Sequence, residues 1–352
     1  MGKRQKVDVV FVPKDLLFEI LILLSVKTLL RLRCVSKLWC SIIDDPLFVQ
    51  KHHIRSHTRP GGLNLLLQLG HRNFLGSLDP EGGPTSYLLP LPDTVDLYIP
   101  FQSINGLVCI NNSIYNPSTR KFKVLPPITT SVPYREEKYL LGFEPSTNKY
   151  KVLAICGFLP NLVSEDSQVE LKIEFKILTL GTNLWREIDT SELQLGVPRI
   201  LNTDYARAYC ITDVIYIISK RDSKDVIIAF EVGCEKFQII RFPDSANTEN
   251  CLLIQVKEHL ALIDRKMSAI WILEDHEKQL WSRESLVLPS RGSFIPDGTI
   301  HMGDIVFRSH PSKLFYYNVE RKALRDVSCS TLSCDPRRIT KHVECLYRLK
   351  DM

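Results

Sequence analysis

Near the C-terminus, Cys329-x4-Cys334-x7-His342-x2-Cys345 gathers thiol and imidazole side chains of the kind that hold zinc. Their spacing fits no common zinc module, and the intervening Asp335-Pro336-Arg337-Arg338 is not diagnostic, so buried or idle thiols are the simpler expectation. Asp275-His276-Glu277 sets a histidine between two carboxylates, a pattern suited to acid–base work, but the setting is a polar hairpin turn with no partner nucleophile. The chain lacks GxSxG, HExxH, GxxxxGK[ST] and GxGxxG. The reading is therefore no catalysis, no metal and no cofactor. Asn111-Asn112-Ser113 matches a glycosylation acceptor in form, which matters only for an exported chain.

Composition narrows the class further. The chain has 352 residues, 44% hydrophobic and 24% charged, as in ordinary globular proteins. It has no stretch of about 18 uncharged apolar residues and no leader-type apolar core, so neither a membrane span nor export is expected. The expected location is cytoplasmic and/or nuclear. The ten cysteines are scattered, most in apolar contexts such as Cys109, Cys156 and Cys210, and read as reduced thiols. Residues 1–59 hold 11 Lys/Arg against 5 Asp/Glu, leaving 34 against 35 for the rest of the chain. That basic head is aliphatic, with one tryptophan, where nucleic-acid binding would interleave basic residues with aromatics. No nucleic acid is expected; a basic surface meeting an acidic protein fits better.

The elements carrying this head are helices. Pro13 opens the first, since its missing N–H is not needed in the first turn, and Asp15 and Glu19 suit the positive end of the helix dipole. Leu16, Ile20 and Leu24 recur at helical spacing, as do Leu17, Leu21 and Leu24, making an apolar stripe wider than a surface helix needs. Ser25 is placed to cap a second helix, Val26 to about Arg31. A third, from about Cys34 to Ile43, would put Val35, Trp39 and Ile42 on one face, ending at Asp44-Asp45-Pro46. So much aliphatic surface on three short helices marks either a partner surface or docking onto the rest of the chain.

Residues 12–39 strongly resemble an F-box: Val12-Pro13-x-Asp15-Leu16-Leu17-x-Glu19-Ile20-Leu21, then Leu24-x-Val26-Lys27-x-Leu29-Leu30-Arg31-x-Arg33-Cys34-Val35-Ser36-Lys37-x-Trp39. The family often has Arg where this chain has Leu23 and Pro where it has Ser25. The resemblance implies docking on a small acidic Skp-type adaptor and, through it, a cullin scaffold. It implies that Pro13, Leu16, Leu17, Ile20, Leu21, Leu24, Val26, Leu29, Leu30, Val35 and Trp39 are shared between the F-box core and the adaptor contact.

After a connector, residues 52–62, helical periodicity gives way to short apolar runs broken by Gly, Pro, Asn and Asp, as strands and turns require. One unit recurs: a strand, a polar turn, and a second strand with an aromatic or Leu. Its anchor pairs are Tyr115/Phe122, Phe143/Tyr150, Ile177/Trp185, Phe230/Phe237, Trp271/Trp281 and Tyr317/Leu324. At about 45 residues per unit, the length after the helices suggests about six irregular β-propeller blades. A β-sandwich is the alternative. Cys345 to Leu349 is expected to pair with Asn64 to Leu69 and close the ring.

INGLVCI, YNPSTRKFKVLPP, FEPSTNKYKVL, LWREI and HMGDIVF resemble the F-box-associated, kelch-related region of the large plant F-box families. At Asp213 to Ile217 the family's Gly-x-x-Tyr-Trp is altered. The expected organisation is a basic tail (1–8), an F-box (9–51), the connector and an F-box-associated β domain (63–350). The resemblance implies a non-catalytic substrate receptor of an SCF-type ubiquitin ligase whose β domain recruits an unidentified protein. The alternatives are an F-box scaffold outside the ligase, or a glycan-binding or enzymatic propeller.

Overall fold

A computed structural model describes residues 12–58, 63–69, 74–78, 87–90, 101–130, 135–158, 173–190, 193, 198, 208–221, 224–248, 251–264, 266–289, 294–300, 303–309, 313–327 and 336–349. The basic tail, Cys329 and Cys334 lie outside the described residues.

The sequence predicts three helices at the head; the structure has four: α1 (Lys14–Leu21), α2 (Val26–Leu32), α3 (Lys37–Ile43) and α4 (Pro46–Ser56). Each boundary has a local cause. Ser25 Oγ accepts from the Thr28 amide at 3.4 Å, Ser36 Oγ from Leu38 at 3.1 Å, and Asp45 Oδ1 from Leu47 at 2.8 Å. Pro46, taken from sequence as a stop, is also the first residue of α4, where its fixed φ and missing N–H cost nothing. The expected connector therefore begins inside a helix, with His52, His53 and Ser56 buried. Val35 precedes α3 rather than belonging to it, and does not share a face with Ile42.

Among the described residues, 24 strands form six four-stranded antiparallel sheets. The innermost strands are Gln102–Ile104, Arg135–Glu144, Tyr209–Ile211, Cys251–Val256, Phe294–Thr299 and Pro336–Val343, and each neighbours the next around a closed circle. Six apolar clusters fill the six junctions. Leu66 with Val108 and Tyr115 joins the first sheet to the second; Leu65 with Val306 and Tyr316 joins the last to the first. The other four junctions are filled likewise. Each sheet buries its faces only against neighbours, which is why the units stack as a propeller rather than a two-sheet sandwich.

Four anchor pairs stand directly opposite one another: Tyr115/Phe122, Phe143/Tyr150, Phe230/Phe237 and Tyr317/Leu324. Two are displaced. Ile177 faces Arg186, because Trp185 lies just before its strand and donates its indole N–H to the Pro126 carbonyl at 2.9 Å. Trp281 faces Leu273, not Trp271, beside a register shift between Leu273 and Asp275. Asp275 ends a strand and His276 and Glu277 lie in the following turn, where Asp275 accepts from the Lys278 amide at 2.9 Å.

Ring closure corrects a further expectation. The strand beside Leu63–Leu69 is Pro336–Val343, not Cys345 to Leu349. The residues after Val343 leave the sheet and run to the helices.

Candidate functional site

The helical head sorts its aliphatic residues into two sets. Leu21, Val26 and Leu29 are buried with Ile22, Ile42, Ile43 and Phe48, and Leu17, Leu24 and Leu30 pack against them. Phe18 meets Phe48 edge to face, with ring centroids 5.0 Å apart. Leu16 (55% exposed) and Ile20 (53%) lie four apart on the opposite side of α1 from Leu21 (2%). Leu23, Val35 and Leu38 are exposed too, as is Pro13, while Trp39 is half-buried. This core is already complete, so the exposed set is not needed to hold it together. Nothing in the spacing of Leu38 separates it from a core position; Leu23 is visible in sequence only as extra apolar surface. Exposed Lys14, Arg31 and Lys37 lie on the same helices.

Under this face the head is joined to the ring by residues 344–349. The Val26 amide, at the open end of α2, donates to Glu344 Oε2 at 3.2 Å. Leu346 is buried in the helical core itself. Asp44 receives Arg33 (Nε to Oδ1, 2.9 Å) and Arg348 together, and accepts from the Cys40 thiol at 3.3 Å.

Histidines crowd this junction. His52 is fully buried, its Nε2 2.9 Å from the Leu24 carbonyl. Burial lowers His53 to a pKa of about 4 and His342 to about 3. His342 Nδ1 lies 3.1 Å from Ser103 Oγ, and the Cys345 thiol, pushed up to about 12 by burial, accepts from Asn116 Nδ2 at 3.4 Å. Both are thus engaged in packing. No group of three or more His, Cys, Asp or Glu able to hold a metal occurs among the described residues.

The inner strands border a polar cavity of about 390 Å³, lined among others by Gln102, Gln255, Glu258, Asp297 and Lys341, with His57 of the helical head at its edge. Asp297 is ion-paired with Arg308. The cavity could hold a small polar molecule.

Four helices with an exposed aliphatic face, seated on a six-sheet ring, define a helical unit joined to a β-propeller. Residues 12–51 match the F-box domain, and residues 78–352 match the F-box associated beta propeller domain. The chain belongs to the F-box proteins that carry this propeller. F-box protein At1g30790 of Arabidopsis thaliana is 28% identical over 383 residues, covering 95% of this chain and 92% of that one. F-box protein At1g52495 of the same plant is 28% identical over 389 residues, covering 98% and 87%. Among solved structures, one from the crystal structure of the nidogen/laminin complex superposes with a TM-score of 0.51 at 11% identity, covering 81% of this chain and 100% of that one; this likeness concerns the fold alone. The F-box is the kind of domain that binds Skp-type adaptors in SCF complexes.

Proposed function

We propose that this chain is the substrate-receptor subunit of an SCF-type ubiquitin ligase and performs no catalysis itself. The F-box grips a Skp-type adaptor, the adaptor joins it to a cullin, and the ring recruits a protein target. The mechanism is positional: holding the target beside a conjugating enzyme raises its effective concentration there.

The observation that carries this reading is the exposure of Leu16, Ile20, Leu23, Val35 and Leu38 outside a core that is already full. About half of each side chain is still wet, so covering the rest is worth roughly 4–7 kcal/mol gross. On these helices exposed Lys14, Lys27, Arg31 and Lys37 outnumber exposed Asp15 and Glu19, a balance that suits an acidic partner and would speed encounter with it.

Calorimetric titration of the full chain with purified Skp-type adaptor tests the reading. Submicromolar binding is expected, and the double variant Leu16→Asp with Ile20→Asp should abolish it. A folded wild-type chain that does not bind would overturn it. Cullin in the purified complex separates a ligase subunit from an F-box scaffold working elsewhere.

A further inference from the structure

Three features compete for a role beyond the proposed adaptor face: the polar cavity inside the ring, the exposed Leu47 and Ile54 of α4, and residues 344–349. The last is tied to both halves of the molecule by named contacts. The geometry points to residues 344–349 as a strap that fixes the F-box in one orientation on the ring. That such a strap would also fix the direction in which a bound target is held rests on the receptor reading above; the strap itself does not.

The ring grips the strap from below. Asn116 Nδ2 donates to the Tyr347 carbonyl at 2.8 Å and to the Cys345 carbonyl at 3.3 Å, and Ser118 Oγ accepts from the Cys345 amide at 3.1 Å. Asn116 is itself locked by accepting from the amides of Ser118 (2.9 Å) and Thr119 (3.2 Å). Tyr347 donates its hydroxyl to Asn148 at 2.6 Å and meets Tyr150 edge to face at 5.1 Å. The Asn105-Gly106 turn completes the seat. Both residues have positive φ, and a Cβ on Gly106 would stand 2.4 Å from Cys345 Cβ and 2.7 Å from the Val343 carbonyl.

The other side of the strap enters the F-box. Glu344 caps α2, Leu346 (5% exposed) fills its core, and Arg348 reaches Asp44 between α3 and α4. Among the described residues, Leu346 is the one member of that core from outside the helical head. A groove of about 260 Å³, lined also by Leu346, Tyr347 and Arg348, lies between Asp44, Pro46 and Val49 of the head and Lys149, Tyr150 and Leu180 of the ring, and His53 adds a hydrogen bond of its own to Asn105. The peptide 59–62 joins head to ring covalently, but fixed orientation needs a second, separate attachment, and the strap is one.

Spin labels on Cys34 and Cys234, both exposed, one in the F-box and one on the ring, report the orientation in the free full-length chain once Cys329, Cys334 and the half-buried Cys40 and Cys210 are replaced by Ser. A single narrow distance distribution is expected for this background. Glu344→Ala with Arg348→Ser, which remove the acceptor for Val26 and one partner of Asp44, should broaden it, and Leu346→Ala should broaden it further. With Trp39 replaced by Phe for this readout, ring fluorescence from Trp185, Trp271 and Trp281 should keep its melting point. Adaptor affinity of Glu344→Ala with Arg348→Ser should stay within about threefold, as for sites with no shared partner.

A distribution that is broad in the background chain, or that stays narrow in both the double variant and Leu346→Ala, overturns the strap. Should Leu346→Ala unfold the F-box, the double variant alone decides. Failure of the background chain to bind adaptor while the distances behave as expected would sink the receptor reading and leave the strap intact.

Discussion

The Val26 amide donates to the Glu344 carboxylate at 3.2 Å, across 318 residues of sequence, so the end of the ring-closing strand caps an F-box helix. A carboxylate at a helix N-terminus satisfies an otherwise free N–H and suits the dipole. Glu344→Ala should cost about 1–2 kcal/mol locally. Amide hydrogen exchange at Val26 and Lys27 would then quicken while the ring strands keep their protection.

Leu16 and Leu21 share a helix and have opposite fates. Leu21→Ala removes a buried side chain and should destabilise the F-box by about 2–5 kcal/mol. Leu16→Ala should change stability by less than about 0.5 kcal/mol. Denaturant melts followed by Trp39 fluorescence, with the three ring tryptophans replaced by Phe, would show equal losses only if the face and core assignments are wrong.

Gly106→Ala combines a positive φ of 86° with a Cβ that collides with Cys345 and the Val343 carbonyl. The backbone oxygen cannot move without disturbing the end of the ring-closing strand. A loss of about 2 kcal/mol or more is expected, read as a lower melting temperature. A melt unchanged from wild type would contradict the close seat described for the strap.

Acid should loosen the junction. His53 and His342 have folded pKa values of about 4 and about 3, below the ordinary 6.5, because burial penalises their charged forms. Above pH 6.5 both are neutral in either state and the folded form carries no penalty. Below it the unfolded chain takes up protons that the folded chain refuses, so stability falls as pH drops from about 6.5 toward 4 and 3. The slope approaches about 1.4 kcal/mol per pH unit for each histidine. Denaturant midpoints at pH 7.5 and 5 measure it, and His342→Gln should flatten the difference.

Lys151 bridges the third and fourth sheets, reaching Glu144 at 3.0 Å, Glu235 at 2.9 Å and the Val232 carbonyl at 2.8 Å. Lys151→Ala would strand the largely covered Glu144 carboxylate, leave Glu235 with Arg186 alone, and should cost about 3 kcal/mol. Arg186 meets the same Glu235 at 2.7 Å from an exposed position, and Arg186→Ala should cost less than about 1 kcal/mol. Chemical denaturation of both variants compares them, and similar values would refute the distinction.

The legible parts of this protein are those whose cause lies within a few residues. Ser25, whose side chain caps α2, and the alternation of aliphatic residues announce helices, because a cap and a 3.6-residue period act locally. The Asn105-Gly106 and Asn116-Pro117-Ser118 turns announce hairpins for the same reason, although their sequence does not say that they also hold the strap. Pro46 shows where local reading is ambiguous, since one proline can end α3 and begin α4.

By itself, the sequence determined that this chain has an aliphatic, basic helical head followed by repeated β-units, since both are written in short periodic patterns. Tertiary structure alone decided which leucines face outward. Leu16 and Leu21 are equally apolar, and only the placement of Ile42, Ile43, Phe48 and Leu346 tells them apart. It also decided that Pro336–Val343 closes the circle and that Glu344, Leu346 and Arg348 belong to the F-box. Contacts across some three hundred residues impose no period on either segment, so nothing in a single chain's pattern marks them before it folds.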